Sequence, residues 1–128
     1  MKDRIRTALN LLLQNTGDDW FIILEEPEHE KFVQFAYDEG PGLIFDLPFQ
    51  ALTDDEIEKA KKLMASFNIV PEELTAMDHP GAQKIGVQHS FSAQIGNDVE
   101  LAVSLAYRVF REVYELADDT PFNVTIMR

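Results

Sequence analysis

The sequence predicts an α+β domain, an antiparallel sheet of about five strands with three main helices. Three observations carry this expectation. Apolar residues recur at helical spacing in three separate stretches, near 3–15, 54–67 and 98–117. Five others, near 20–24, 31–37, 43–47, 86–95 and 122–127, are β-rich or alternate with a period of two. The links between the first three strands are too short for a parallel crossover, so those strands form an antiparallel meander. The order is α-β-β-β-α-(short element)-β-α-β, and separated helices beside antiparallel strands make an α+β sandwich.

The first helix places Ile5, Ala8, Leu9, Leu12 and Leu13 at helical spacing, and Asn15-Thr16-Gly17-Asp18 ends it. Trp20 to Leu24 is apolar on both faces, as in a central strand covered on both sides. Glu25 to Glu30 holds Pro27 and reads as a solvated turn. In the next strand Val33, Phe35 and Tyr37 share one face, and Phe32, Gln34 and Ala36 the other. Asp38-Glu39-Gly40-Pro41-Gly42 is a turn, and Pro48 stops the ladder of the strand Leu43 to Leu47.

Thr53-Asp54-Asp55-Glu56 has the pattern of a capping box, with the Thr53 hydroxyl on the Glu56 N–H and the Glu56 carboxylate on the Thr53 N–H. The helix it opens buries Ile57, Ala60, Leu63, Met64 and Phe67. Within 68–85, Pro71-Glu72-Glu73-Leu74 opens a short helix with Pro71 at its first position, and Asp78-His79-Pro80-Gly81 turns the chain. Val87, His89, Phe91, Ala93 and Ile95 then alternate with Gln88, Ser90, Ser92 and Gln94. Asn97 or Asp98 caps the last helix. That helix carries two apolar stripes: Ala102, Leu105, Ala106, Val109, Val113 and Leu116, and beside them Val103, Tyr107, Phe110 and Tyr114. Together they span an arc of about 200°, wider than one sheet face demands, so something besides the sheet covers the second stripe.

Composition narrows the function. The chain has 128 residues, no cysteine, and 11 Lys plus Arg against 23 Asp plus Glu, a net charge of −12. With 45% hydrophobic residues it has material for one core, and residues 1–128 read as a single domain. Without cysteine there is no disulfide framework, thiol nucleophile or Cys-type zinc site. The acidic balance opposes nucleic acid and anionic membranes, since both need clustered Lys and Arg. The start lacks the pattern of a signal peptide, and a cytoplasmic location is expected.

Sites of chemistry are sparse. His89 falls on an apolar strand face, His79 in a turn, and His29 within Glu25-Glu26-Pro27-Glu28-His29-Glu30. That acidic run offers hard oxygens to a divalent cation, but it lacks the order of a calcium loop and fits a solvated hairpin better. Asp46, a charge within an apolar strand, fits an edge or turn role better than a catalytic one. Nucleophile-elbow, phosphate-loop, dinucleotide-turn and zinc-helix patterns are absent. The expectation is no enzyme, no metal and no cofactor.

Phe32-Val33-Gln34-Phe35-Ala36, Gly42-Leu43-Ile44-Phe45-Asp46-Leu47-Pro48, Leu52-Thr53 with Glu56, Phe91-Ser92-Ala93-Gln94 and the helix Leu105 to Tyr114 together resemble the TY-Chap domains, the YbjN-like members of the type III secretion chaperone-like superfamily. The resemblance spans about Trp20 to Ile126 and is most specific at the strand, the Phe45-Asp46-Leu47-Pro48 sequence and the capped helix. It implies a secretion chaperone-like α+β fold, often dimeric, that binds extended peptide segments of protein partners without catalytic residues. Such chaperones usually place two long strands between their second and third helices, whereas residues 68–85 here precede only one clear strand. The resulting expectation is a chaperone-like domain binding a protein or peptide client at a sheet edge or apolar groove, with a homodimer lacking a client as the alternative and a small enzyme with an unrecognised carboxylate site ranked behind both. Val103, Tyr107, Phe110 and Tyr114 are the candidate partner or dimer surface, because tyrosine combines apolar area with a wet hydroxyl.

Overall fold

The computed structural model of the chain describes residues 1–14, 20–77 and 84–127. Three helices, α1 (Lys2–Gln14), α2 (Asp54–Ala65) and α3 (Val99–Arg108), accompany six strands: β1 (Trp20–Glu26), β2 (Lys31–Asp38), β3 (Gly42–Pro48), β4 (Pro71–Met77), β5 (Lys84–Gly96) and β6 (Asn123–Met127). The strands form one sheet in the order β4-β5-β3-β2-β1-β6, with every neighbouring pair antiparallel. The α+β class, the three helices and the β1–β2–β3 meander are as expected.

The sheet has one strand more than the expected five or so, and the addition is β4. Pro71-Glu72-Glu73-Leu74 lies in this strand rather than in a short helix. Pro71 is its first residue, and the strand lies at the end of the sheet, where a missing N–H need not cost a ladder bond. Pairing with β5 from Pro71↔Phe91 to Met77↔Lys84 outweighs the local helical signal. The expected turns at 15–18 and 78–81, with His79, fall outside the described residues.

All the helices lie on one face of the sheet. There Ile22, Leu24, Val33, Phe35, Leu43, Phe45, Leu47 and Phe91 are fully buried against Ile5, Leu9, Leu12, Met64, Leu105 and Phe110. The alternate strand residues, such as Phe21, Ile23, Ala36, Ile44 and Ser92, point the other way and stay partly exposed. Trp20 to Leu24 is therefore covered on one side only. β1 also runs on through Glu25 and Glu26, which the sequence assigned to a turn.

α2 starts with the expected capping box at Thr53, and Asp98 caps α3 by accepting from the Leu101 N–H at 3.1 Å. α3 does not continue to residue 117. After Arg108 the chain makes a π-helical turn, Val109–Val113, and Glu115 adopts a φ of +57°. The wider π turn shifts the faces of the last residues, so a uniform 100° wheel misplaces them. α1 packs on β1 and α3, while the π turn packs on α2, which sets α3 between the other two helices.

Candidate functional site

The two ends of the sheet are built differently. β4 opens with Pro71, Glu72 and Glu73, residues that discourage a further strand from pairing. β6 reads Asn123-Val124-Thr125-Ile126-Met127, with three β-branched residues and neither a charge nor a proline. It pairs with β1 through Phe21↔Met127 to Glu25↔Asn123 and ends the sheet on its other side. An edge of this composition is a template for an added strand.

α1 lines this edge. Arg4, Thr7, Ala8 and Leu11 recur at three- and four-residue steps, so they form one ridge of the helix. That ridge and Val124 enclose an open groove of about 320 Å³, with Asp3 at one end. Leu11 is 46% exposed and Val124 and Met127 are each 40% exposed, so large apolar side chains crowd the edge. The entry to β6 is anchored firmly. Arg4 Nη2 donates to the Phe122 carbonyl at 2.8 Å and its guanidinium stacks 4.4 Å from the Phe122 ring centroid. Phe122 in turn stacks on Phe110 at 5.7 Å.

The stripe expected to meet a partner is largely covered from within the chain. Val103 is 2% exposed, Phe110 0% and Tyr114 7%. α1 covers α3 on one side, and the segment leading to Phe122 closes over Phe110. The Tyr114 hydroxyl donates to the Phe32 carbonyl at 2.7 Å, and its burial, with the Glu56 carboxylate nearby, pushes the phenol well above its ordinary pKa. Tyr107 is the half-exposed member. Its hydroxyl bonds to Asp118, which together with burial raises its pKa, and the Lys2 ammonium sits 4.8 Å from its ring centroid. The extra covering that the wide apolar arc requires is thus supplied by α1, α2 and the 115–122 segment.

The remaining candidates resolve into structural parts. Glu26, Glu28 and His29 each place one donor atom within 4.8 Å of the others. Yet Glu26, 4% exposed, already accepts the backbone N–H groups of Glu28 at 3.2 Å and His29 at 2.8 Å, with His29 Nδ1 3.0 Å away. It closes the β1–β2 turn, and a cation would have to displace those donors. His89 is exposed with its ring 5.6 Å from that of Phe49. Asp46 lies in a central strand rather than at a sheet edge, and it accepts from the Gln34 side chain across the β2–β3 pair.

Sequence reasoning missed the β6 edge as a specific place. The signal was present in the uncharged, proline-free run Asn123 to Met127, but only the strand order makes that run an edge. Compared with known proteins, the chain matches no family model, no curated protein and no solved structure. No helix among the described residues is long and apolar enough to cross a membrane.

Proposed function

We propose that this chain is a non-catalytic, chaperone-like domain that binds an extended segment of a partner protein along β6. The observation that carries this reading is the outer edge of β6, which no further strand among the described residues pairs, beside the apolar α1 groove. A segment of about five residues adds there as a seventh strand. Its backbone bonds to the edge, and its alternate side chains fall between Leu11, Ala8 and Val124, which supplies specificity. The resemblance to the secretion chaperones implies the same mode of binding, and the two strands it calls for between the second and third helices correspond to β4 and β5.

Peptide display against the purified chain tests the proposal. Short β-rich sequences with alternating apolar residues should emerge. Methylating alternate backbone nitrogens of a selected peptide should abolish binding, and Leu11→Asp or Val124→Lys should weaken it at least about tenfold, roughly 1.4 kcal/mol. Binding that survives N-methylation, or a tight dimer that consumes the β6 edge, rejects it.

A further inference from the structure

Two short rows of side chains cross the sheet on the face opposite the helices. By register Phe21, Ala36 and Ile44 are direct neighbours on β1, β2 and β3. Beside them Gln34, Asp46 and Ser92 are direct neighbours on β2, β3 and β5. All six residues are partly exposed. Ala36, the smallest, stands between Phe21 and Ile44, and a depression of about 410 Å³ opens there, bordered by both rows. That volume lies within the roughly 300–1,000 Å³ usual for small-molecule sites. One wall of the depression is apolar and the other is polar.

The polar wall is out of place by strand propensity alone. β3 is a central strand between β2 and β5, and aspartate is depleted in strands. Among the described residues the Asp46 carboxylate meets a neutral amide rather than a cation: Gln34 Nε2 donates to Asp46 Oδ2. This arrangement leaves Asp46 Oδ1 as an acceptor for a further donor. It also fixes the Gln34 amide, whose nitrogen is turned to Asp46, so that Oε1 is a second acceptor. The Ser92 hydroxyl, beside Asp46 on the other side, is a third. Three oxygen acceptors, one of them charged, therefore stand side by side against an apolar wall.

We infer that this depression is a binding site for a small primary aralkylammonium, an ammonium group on a short chain that ends in an aromatic ring. An ammonium brings three N–H donors and one positive charge, which match three acceptors of which one is a carboxylate. The charge-assisted bond to Asp46 is roughly twice as strong as a neutral one, so it fixes the ligand's polar end. The ring packs on Phe21, Ala36 and Ile44. An anionic ligand is disfavoured, because its charge would confront Asp46 at close range. A divalent cation is disfavoured as well: calcium takes about six to eight oxygen ligands, and the apolar wall supplies none. The site is centred on β2, β3 and β5 and needs no backbone pairing, so it fails or stands separately from peptide binding at β6.

The test titrates phenethylammonium into the full chain and follows the backbone amide signals by NMR. Saturable shifts should centre on Phe21, Ala36, Asp46 and Ser92, with a dissociation constant of about 1–10 mM, the strength expected of so small a ligand. Phenethyl alcohol keeps the ring and loses the charge, and phenylpropanoate reverses the charge. Each should bind at least about tenfold more weakly. Asp46→Asn preserves the size of the side chain and should weaken binding at least about tenfold. Ala36→Leu fills the depression and should do the same, in a chain whose circular dichroism and melting remain native. Glu58→Gln, an equal charge change on α2, should alter binding less than about twofold. Equal binding of the alcohol, equal effects of Asp46→Asn and Glu58→Gln, shifts that rise without saturating, or displacement of the amine by an equal concentration of calcium would each overturn the inference.

Discussion

One oxygen of Glu56, Oε1, accepts from the Thr53 backbone N–H at 2.9 Å and from the Lys31 ammonium at 2.9 Å. The same carboxylate therefore closes the N-terminus of α2 and ties that helix to β2. Glu56 is mostly buried, so removing it unmakes a cap and leaves the Lys31 charge poorly compensated. Thr53→Ala should cost about 1 kcal/mol, the usual cost of a lost cap. Glu56→Ala should cost about 2–3 kcal/mol, because a partly buried ion pair is broken as well. Urea denaturation measures both, and equal costs would mean that the Lys31 link adds nothing.

Phe110 and Tyr114 should behave as core residues. Phe110 is fully buried against Phe122, so Phe110→Ala should cost about 3–5 kcal/mol. Tyr114→Phe removes the hydroxyl that donates to the Phe32 carbonyl and should cost about 1–2 kcal/mol. Neither this change nor Tyr107→Ala should alter the sedimentation coefficient. A change of oligomeric state in either variant would return the second stripe of α3 to the role of an interface.

Gly42 and Gly96 face each other where the β3–β5 register shifts. Both have positive φ, +77° and +70°, yet their surroundings differ. A Cβ on Gly42 would sit 2.7 Å from the Gly96 carbonyl carbon, whereas a Cβ on Gly96 meets nothing within 4 Å. Gly96→Ala should cost about 1–2 kcal/mol, the penalty of a left-handed backbone for an L-residue. Gly42→Ala adds a backbone clash and should cost a further ~1–3 kcal/mol or more. Thermal melts that rank the two variants in the opposite order would contradict this geometry.

Acid should loosen the β1–β2 turn through Glu26. Burial pushes its carboxyl pKa up, but the His29 N–H and ring and the Glu28 N–H together hold it below the ordinary 4.5. A lowered folded-state pKa means that the fold favours the ionised form. The resulting stability is present above pH 4.5 and is lost as pH falls through the lower folded-state value. Glu26→Gln should therefore melt below the native chain near neutral pH, and the two curves should converge in acid. A constant gap across the range would show that Glu26 titrates alike in both states.

Local chemistry made much of this fold legible. The Thr53–Glu56 box, the Asp98 cap and the strict alternation from Val87 to Ile95 involve residues a few positions apart, so their pattern survives in the sequence alone. Pro71 to Met77 misled because proline followed by two glutamates suits a helix start as well as a guarded edge strand. α3 misled differently: two stripes at 3.6-residue spacing were visible, but the π turn after Arg108 leaves no simple periodic mark. Of the candidate binding surface, the composition of β6 was readable and its position at the end of the sheet was not.

The sequence by itself determined the α+β class, the helix starts, the β1–β2–β3 meander and the excess of negative charge. Each of these follows from short-range spacing or from simple sums over the chain. Tertiary structure alone decided that Val103, Phe110 and Tyr114 are sealed within the chain, that β6 ends the sheet, and that Met127, Phe21, Ala36 and Ile44 align across four strands. Burial and alignment depend on which distant segment lies opposite a side chain, and a one-dimensional pattern carries the period of an element without naming its neighbour.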